Sequence, residues 1–269
     1  MKKEILVAFI MLCGLATITQ AQEGDLHGAI NATFDSKYIW RGFDNYADKS
    51  AIHAGVDLDL YGSGFGVSLL GHRANSSEFE DGERWDYTLY YGGQVLEDQA
   101  CATNYRLAWV YYNYPDNSRK DYDLQEAHLM LSWPDMCQSG LVPGYILVKM
   151  WPARSGSKVG SRSPFGGTAS GFAHIFTLDY PWTVEGLLPE IPEQVLNLHA
   201  ELIYNDGVGP GGQNVDHDWS NAVLGVSTVF DLGENVTLTP GIYHQITMDK
   251  SVNDDQDETW ASVNLKYTF

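Results

Sequence analysis

Trp260-Ala261-Ser262-Val263-Asn264-Leu265-Lys266-Tyr267-Thr268-Phe269 decides the fold of this chain. Small and apolar side chains at 261, 263, 265, 267 and 269 alternate with polar ones at 262, 264, 266 and 268. Successive side chains of an extended backbone point to opposite faces. The decapeptide is therefore a strand with one apolar and one wet face, and it stops on an aromatic residue.

The same alternation runs back through the chain. Leu26, Gly28, Ile30, Ala32 and Phe34 face one way, while His27, Asn31, Thr33, Asp35 and Lys37 face the other. Ile52, Ala54, Val56, Leu58 and Leu60 likewise oppose His53, Asp57 and Asp59. Further strands are expected near 65–72, 85–95, 104–114, 124–133, 144–151, 170–180, 196–205, 219–230, 236–248 and 260–269. The expectation is thus an all-β, transmembrane antiparallel β-barrel of about twelve strands. An even count brings both termini to one side, expected to be periplasmic.

Connection lengths support that topology, because such barrels have short periplasmic turns and longer outer loops. Turns are expected at Tyr61–Gly64, Leu96–Thr103, Pro134–Pro143, Pro181–Val195 and Asp231–Asn235, with Pro181–Val195 the long exception. Outer loops fall near 39–50, 73–84, 115–123, 152–169, 206–217 and 249–258. Of the eight Trp, those at 40, 85, 133, 151, 182, 219 and 260 lie at or beside expected strand ends. That is the distribution of an interfacial aromatic girdle. A soluble lipocalin-like barrel or β-sandwich would place its Trp mid-strand.

The first residues fit this compartment. Lys2 and Lys3 precede an apolar run, Ile5 to Ile18, and Thr19-Gln20-Ala21 follows. This is the pattern of a cleaved signal peptide over 1–21, which leaves 22–269 as the barrel. The apolar run is shorter than the roughly 20 residues a spanning helix needs. Bulky Ile10-Met11-Leu12 ahead of Cys13 does not suit lipoprotein processing. At the other end, Phe269 is expected to signal to the barrel assembly machinery.

With 16 Lys+Arg against 35 Asp+Glu, the chain carries a formal charge of −19. Nucleic acid is thereby excluded as a partner, since phosphates must be met by cations. The less apolar strand face should point inward, bringing Asp35, Lys37, His53, Asp57, Asp59, Asp86, Arg106, Glu126, His128, Lys149, His199, Glu201 and Lys266 to the lumen. Unpaired charge away from water is costly, so either water fills this lumen or the charges pair into a plug. The acid excess favours water, giving a pore for small hydrophilic solutes or ions with a mild preference for cations.

Two loops attract attention. Residues 152–169 contain Arg154, Lys158 and Arg162 and no acid. Folded into the mouth they would constrict the channel; lying outside they would meet lipopolysaccharide phosphates. Asp254, Asp255, Asp257 and Glu258 crowd the last loop, but without the Gly-centred spacing of a calcium site. No metal or cofactor is expected.

Enzymatic and adhesive barrels are the alternatives. A barrel phospholipase needs a Ser and an oriented His on one face, and His174 and His244 have no Ser two residues away. Asp216-His217-Asp218 is the only protease-like cluster. No catalytic residue is therefore assigned. An adhesin would use only the loop tips.

Ser36-Lys37-Tyr38-Ile39-Trp40-Arg41-Gly42, with Ala51-Ile52-His53-Ala54-Gly55-Val56-Asp57 and Gly62-Ser63-Gly64-Phe65-Gly66-Val67, resembles the opening of the TorF-like family of bacterial outer-membrane porins. The resemblance covers about residues 28–72 and implies an outer-membrane channel without implying a substrate. Physically, Tyr38 and Trp40 at a strand end suit interfacial anchoring. Arg41 would then meet lipid phosphate, or else turn inward to an acidic lumen.

Cys101 and Cys137 fall in two expected periplasmic turns, and that compartment permits a disulfide. Such a bridge requires Cα atoms within roughly 7 Å.

Overall fold

The computed structural model describes residues 26–119, 121–154, 169–186, 192–209 and 214–269. Twelve strands form the wall: β1 (His27–Asp35), β2 (Ala51–Asp59), β3 (Phe65–Ala74), β4 (Arg84–Val95), β5 (Thr103–Asn113), β6 (Leu124–Ser132), β7 (Val142–Pro152), β8 (Ser170–Glu185), β9 (Glu193–Val208), β10 (Asn214–Thr228), β11 (Val236–Thr247) and β12 (Glu258–Thr268). A short extension, Phe230–Gly233, prolongs β10 and pairs with β11. Each strand pairs antiparallel with its sequence neighbours, and β12 closes on β1 through the register Ala29↔Thr268 to Asp35↔Ser262. Closure leaves no sheet edge with unpaired backbone.

Register assigns the two faces. His53 lies opposite both Thr33 and His72, and the same parity runs through Leu70↔Asp86, Asp86↔Tyr112, Val110↔Glu126 and Glu126↔Met150. Side chains of this set are buried, among them His53, His72, Asp86, Glu126, Val148 and Ile203. The opposite parity presents Ile30, Phe34, Leu89, Phe176, Leu224, Ile242 and Leu265, which are 43–58% exposed. A water-soluble wall would not leave that many large apolar groups bare around its whole circumference. This outward band is a lipid-facing surface.

The strands are longer than the sequence suggests between 181 and 195. β8 continues to Glu185 and β9 begins at Glu193, with Pro181 opposite Asn197 and Thr183 opposite Val195. The apparent long turn is mostly ladder, and the short-turn rule holds at this end of the barrel. Similarly, β9 and β10 together occupy much of the 206–217 stretch.

Two tryptophans leave the girdle. Trp85, Trp151, Trp182 and Trp219 take outward positions near strand ends, but Trp40 lies in the loop after β1, and Trp260 is opposite inward-facing Tyr243. The expected disulfide is also absent: Cys101 and Cys137 are free thiols. Cys101 Sγ contacts Gln99 Oε1 at 3.6 Å instead. The β4–β5 and β6–β7 turns that carry them are two interstrand spacings apart, roughly 10 Å. A disulfide spans Cα atoms only up to about 7 Å apart.

Candidate functional site

Residues 36–50, between β1 and β2, do not rise away from the barrel. Ser36 pairs backbone and side chain with Ala261 of β12, and the chain then turns into the lumen as a minimal hairpin. Ile39 and Trp40 pair with Asp44 and Phe43. Arg41 and Gly42 form its tip with φ of +48° and +95°. Positive φ at both central residues defines the two-residue turn that suits a hairpin's twist. For Arg41 that conformation costs energy unless the surroundings hold it.

The surroundings do hold it. The Arg41 guanidinium donates two parallel hydrogen bonds to the Glu126 carboxylate on β6, with Nη2 2.7 Å from Oε2. Such bidentate, charge-assisted pairs are the strong class of polar contact. Glu126 also accepts from the Tyr112 hydroxyl at 2.7 Å and lies 2.8 Å from His128 Nε2. On the other side of the tip, the Gly42 carbonyl accepts from Gln245 Nε2 of β11 at 2.8 Å. A Cβ on Gly42 would lie 2.7 Å from Val252 and 3.0 Å from Asn221, so only glycine fits. β6 and β11 lie on nearly opposite sides of a twelve-stranded wall, so the hairpin bridges the lumen from side to side.

Aromatic and cationic packing fixes its base. Trp40 packs on Tyr112 at 5.5 Å, and the Arg84 guanidinium lies 4.3 Å from the Trp40 ring and 4.9 Å from Tyr112. Arg84 also donates to both Asp86 oxygens and to the Tyr38 hydroxyl at 2.6 Å. Tyr38 in turn stacks on His72 at 5.2 Å and meets His53 at 4.6 Å. Trp40 therefore joins two buried clusters, one with Tyr38, Tyr46, Ala51 and Ala74, the other with Val110, Tyr112, Leu124 and Ala169.

Neighbouring loops pin the remainder. The Tyr46 hydroxyl donates to Gly82 O at 3.1 Å, and its burial pushes the phenol pKa up to about 12. Asp44 N–H donates to Asn253 Oδ1 at 3.0 Å. Lys37 donates to Glu258 at 2.7 Å and pairs with Asp48. These contacts, that to Asp48 first, raise the ammonium pKa above its usual value, and Lys37 holds Asp48 below the usual carboxylate range. Asp44, Asp48 and Glu258 gather closely enough to suggest a metal site, but the Lys37 ammonium already serves two of them.

The structure thus answers the question left open at Arg41: Tyr38, Trp40 and Arg41 are turned inward rather than anchored in the interface. Of the residues expected inside, Asp35, His53, Asp57, Asp59, Asp86, Arg106, Glu126, His128, His199, Glu201 and Lys266 occupy the inward register. Lys37 lies above them on Glu258. Lys149 does not belong: it pairs with outward Ala127 and Phe172, and its Nζ sits 4.3 Å over the Phe172 ring. The ammonium is held there by the face of the aromatic ring. Arg154 is exposed just past β7, and Lys158 and Arg162 lie outside the described residues.

Inward groups form local pairs. His53 and His72 are linked through Nδ1 atoms 2.7 Å apart, with Asp35 3.0 Å beyond His53 and Asp86 2.9 Å beyond His72. Arg106 stacks 3.5 Å over Tyr90 and lies 3.5 Å from Asp57. His199 Nδ1 is 2.7 Å from Asp179. Arg84, His72, Asp179, Asn221, Tyr243, Gln245 and Trp260 were missed by sequence reasoning. His72 already ends the expected strand 65–72, where strict alternation places it inward, and Arg84 lies one residue ahead of the expected 85–95. His174 and His244, the lipase-like candidates, sit outward on Tyr145 and Thr259. His217 lies 3.5 Å from Asp206.

A cavity of about 190 Å³ remains beside the hairpin, lined by Arg41, His199, Glu201, Tyr243, Gln245 and Trp260 among others. The lumen is spanned at this level but not filled.

No protein-family model matches the chain, and no curated protein matches it. Solved structures do. The chain is similar to the KdgM porin in complex with disordered oligogalacturonate, with a TM-score of 0.52 and 11% identity over 90% of this chain and 99% of that one. It is similar to the NanC porin with the same score and identity, over 90% of this chain and all of that one. The COG4313 outer membrane channel from Pseudomonas putida F1 follows at 0.50 and 9%, over 92% and 96%. At these identities the likeness is one of fold, and the fold is the twelve-stranded barrel of outer-membrane proteins.

Proposed function

We propose that this chain is a passive outer-membrane channel for small hydrophilic solutes and ions, narrowed by the inward hairpin of residues 36–50. The observation that carries this reading is the lumen itself, a hydrophilic wall bridged by one hairpin with open volume beside it. The porins and the channel that share its fold support it. Inward Asp35, Asp57, Asp59, Asp86, Glu126, Asp179, Glu201 and Glu258 outnumber Arg84, Arg106 and Lys266, even with Lys37 and Arg41 added from the hairpin loop. The excess gives a mild preference for cations. No step of this role requires catalysis or a cofactor. It accords with the TorF-like resemblance of residues 28–72.

Purified protein in a planar bilayer under a salt gradient should give stepwise conductance and a reversal potential of the cation-selective sign. Absence of steps from protein that shifts on unheated gels would leave a surface adhesin as the better reading.

Assembly follows from the tail. In our reading residues 1–21 are removed, both termini face the periplasm, and Phe269 is read by the barrel assembly machinery. Phe269 exchanges backbone hydrogen bonds with Gly28 at 2.9 Å and stacks on outward Tyr267. Its ring is thus displayed on the lipid side of the closing seam. Phe269→Ala should reduce the amount of folded barrel in the outer membrane severalfold while leaving unit conductance unchanged. Normal accumulation would refute the signal. In the same reading exposed Arg154 at the loop end meets lipopolysaccharide phosphates.

A further inference from the structure

The cavity beside the hairpin has a chemistry of its own. Tyr243 lies flat against the wall: a Cβ on Gly225 would come within 2.3 Å of its ring, and one on Gly241 within 2.9 Å. Both neighbours are glycine, so the ring can lie down. Trp260 stacks on it at 5.4 Å with planes only 19° apart. Two adjacent strands thus present a flat aromatic surface inside a hydrophilic lumen, where a large apolar group gains nothing from exposure to water.

Around this surface stand groups that both donate and accept hydrogen bonds. Asn221 and Gln245 form the buried floor, with Gln245 donating to Gly42 and Thr247 and its side-chain oxygen 3.5 Å from the Asn221 amide. His199, whose Nδ1 is engaged by Asp179, also lines the cavity. Glu201 lines the cavity, and among the described residues no hydrogen bond or ion pair engages its carboxylate. The one cation on the lining, Arg41, is committed to Glu126. The residual charge is therefore negative.

We propose that this cavity is a binding subsite for the ring of a neutral polyhydroxylated solute, a single sugar unit of a hexose or short neutral oligosaccharide passing through the channel. The aromatic platform matches the C–H face of a pyranose, the imidazole and carboxylate match its hydroxyls, and Glu201 repels anionic rings. The volume corresponds to about six waters of liquid, room for one such ring. The subsite rests on the channel reading, and it sets this lumen apart from one suited to a polyanion such as oligogalacturonate.

The test uses the full barrel in two formats. In the planar bilayer, maltohexaose should interrupt the ion current at millimolar concentration, and an oligogalacturonate of equal length should interrupt it only at much higher concentration. Trp260→Ala should raise the half-blocking concentration of maltohexaose about tenfold, equivalent to roughly 1.4 kcal/mol. Trp260→Phe should restore most of it. Unheated gel migration confirms that each variant is folded. Glu201→Gln should weaken the discrimination against oligogalacturonate.

Calorimetric titration of maltohexaose into detergent-solubilised protein separates the two levels of the argument. Binding without conductance retains the subsite and refutes the channel. Conductance with no sugar binding, block by the acidic oligomer at lower concentration than the neutral one, or a folded Trp260→Ala that binds as the parent does, would each overturn the subsite.

Discussion

Replacing Arg41 by alanine should increase single-channel conductance severalfold and strengthen cation selectivity. Arg41 is the only part of the hairpin tip that grips the β6 wall with charge, through both nitrogens of its guanidinium. Its side chain is nearly buried and that of Glu126 is fully so. Removing one member of such a pair leaves the other charge uncompensated, at a cost of about 3–5 kcal/mol. The wall keeps its interstrand hydrogen bonds, so the strain is most easily relieved by releasing the hairpin and letting water reach Glu126. The lumen then widens and gains a net negative charge. Glu126→Gln should release the tip less, because Tyr112 and His128 still hold that side chain. In the double variant the two effects should be far from additive, as expected for residues in one network. An Arg41→Ala channel with parental conductance would show that the hairpin does not set the constriction.

The hairpin explains where sequence reading succeeds and where it stops. Period-two alternation is a local signal, repeated in every strand. With inward and outward residues fixed by parity, the wall, its strand number and most inward charges are legible from short windows. The inward turn at residues 38–42 is not local. Its strongest partner is 85 positions away, and Gln245 is 203 positions from Gly42. Nothing in Tyr38-Ile39-Trp40-Arg41-Gly42 itself separates an interfacial aromatic anchor from a lumen bridge, since the same residue types suit both. Two other errors share a cause. The charge of Lys149 suggests an inward position, yet its ammonium sits over the Phe172 ring on an outer face. Trp260 was placed in the girdle because it begins a strand, although its parity with Glu258 puts it inside. In both cases strict parity gives the correct face.

The second large effect is expected at Arg84, which belongs to the wall rather than to the loop. Arg84→Met should lower barrel stability and loosen the hairpin together, whereas Arg41→Ala should chiefly do the latter. Arg84 is buried among Tyr38, Trp40 and Tyr112, and its guanidinium balances Asp86, also buried. Methionine retains much of the stem volume but leaves Asp86 facing only His72. A loss of about 3–5 kcal/mol is expected, measurable as a lower midpoint for urea unfolding from lipid vesicles. The base of the hairpin loses its cation–π contacts and the Tyr38 hydrogen bond at the same time, so conductance should rise as well. Adding Asp86→Asn removes the stranded charge and should return part of the stability, but none of the hairpin docking, because Tyr38 and Trp40 still lack the guanidinium. That separation is the decisive feature. If stability and conductance return together in the Arg84→Met, Asp86→Asn protein, the hairpin is held by the charge balance of the wall. If stability alone returns, it is held by the guanidinium packed against its aromatic rings, as the geometry indicates.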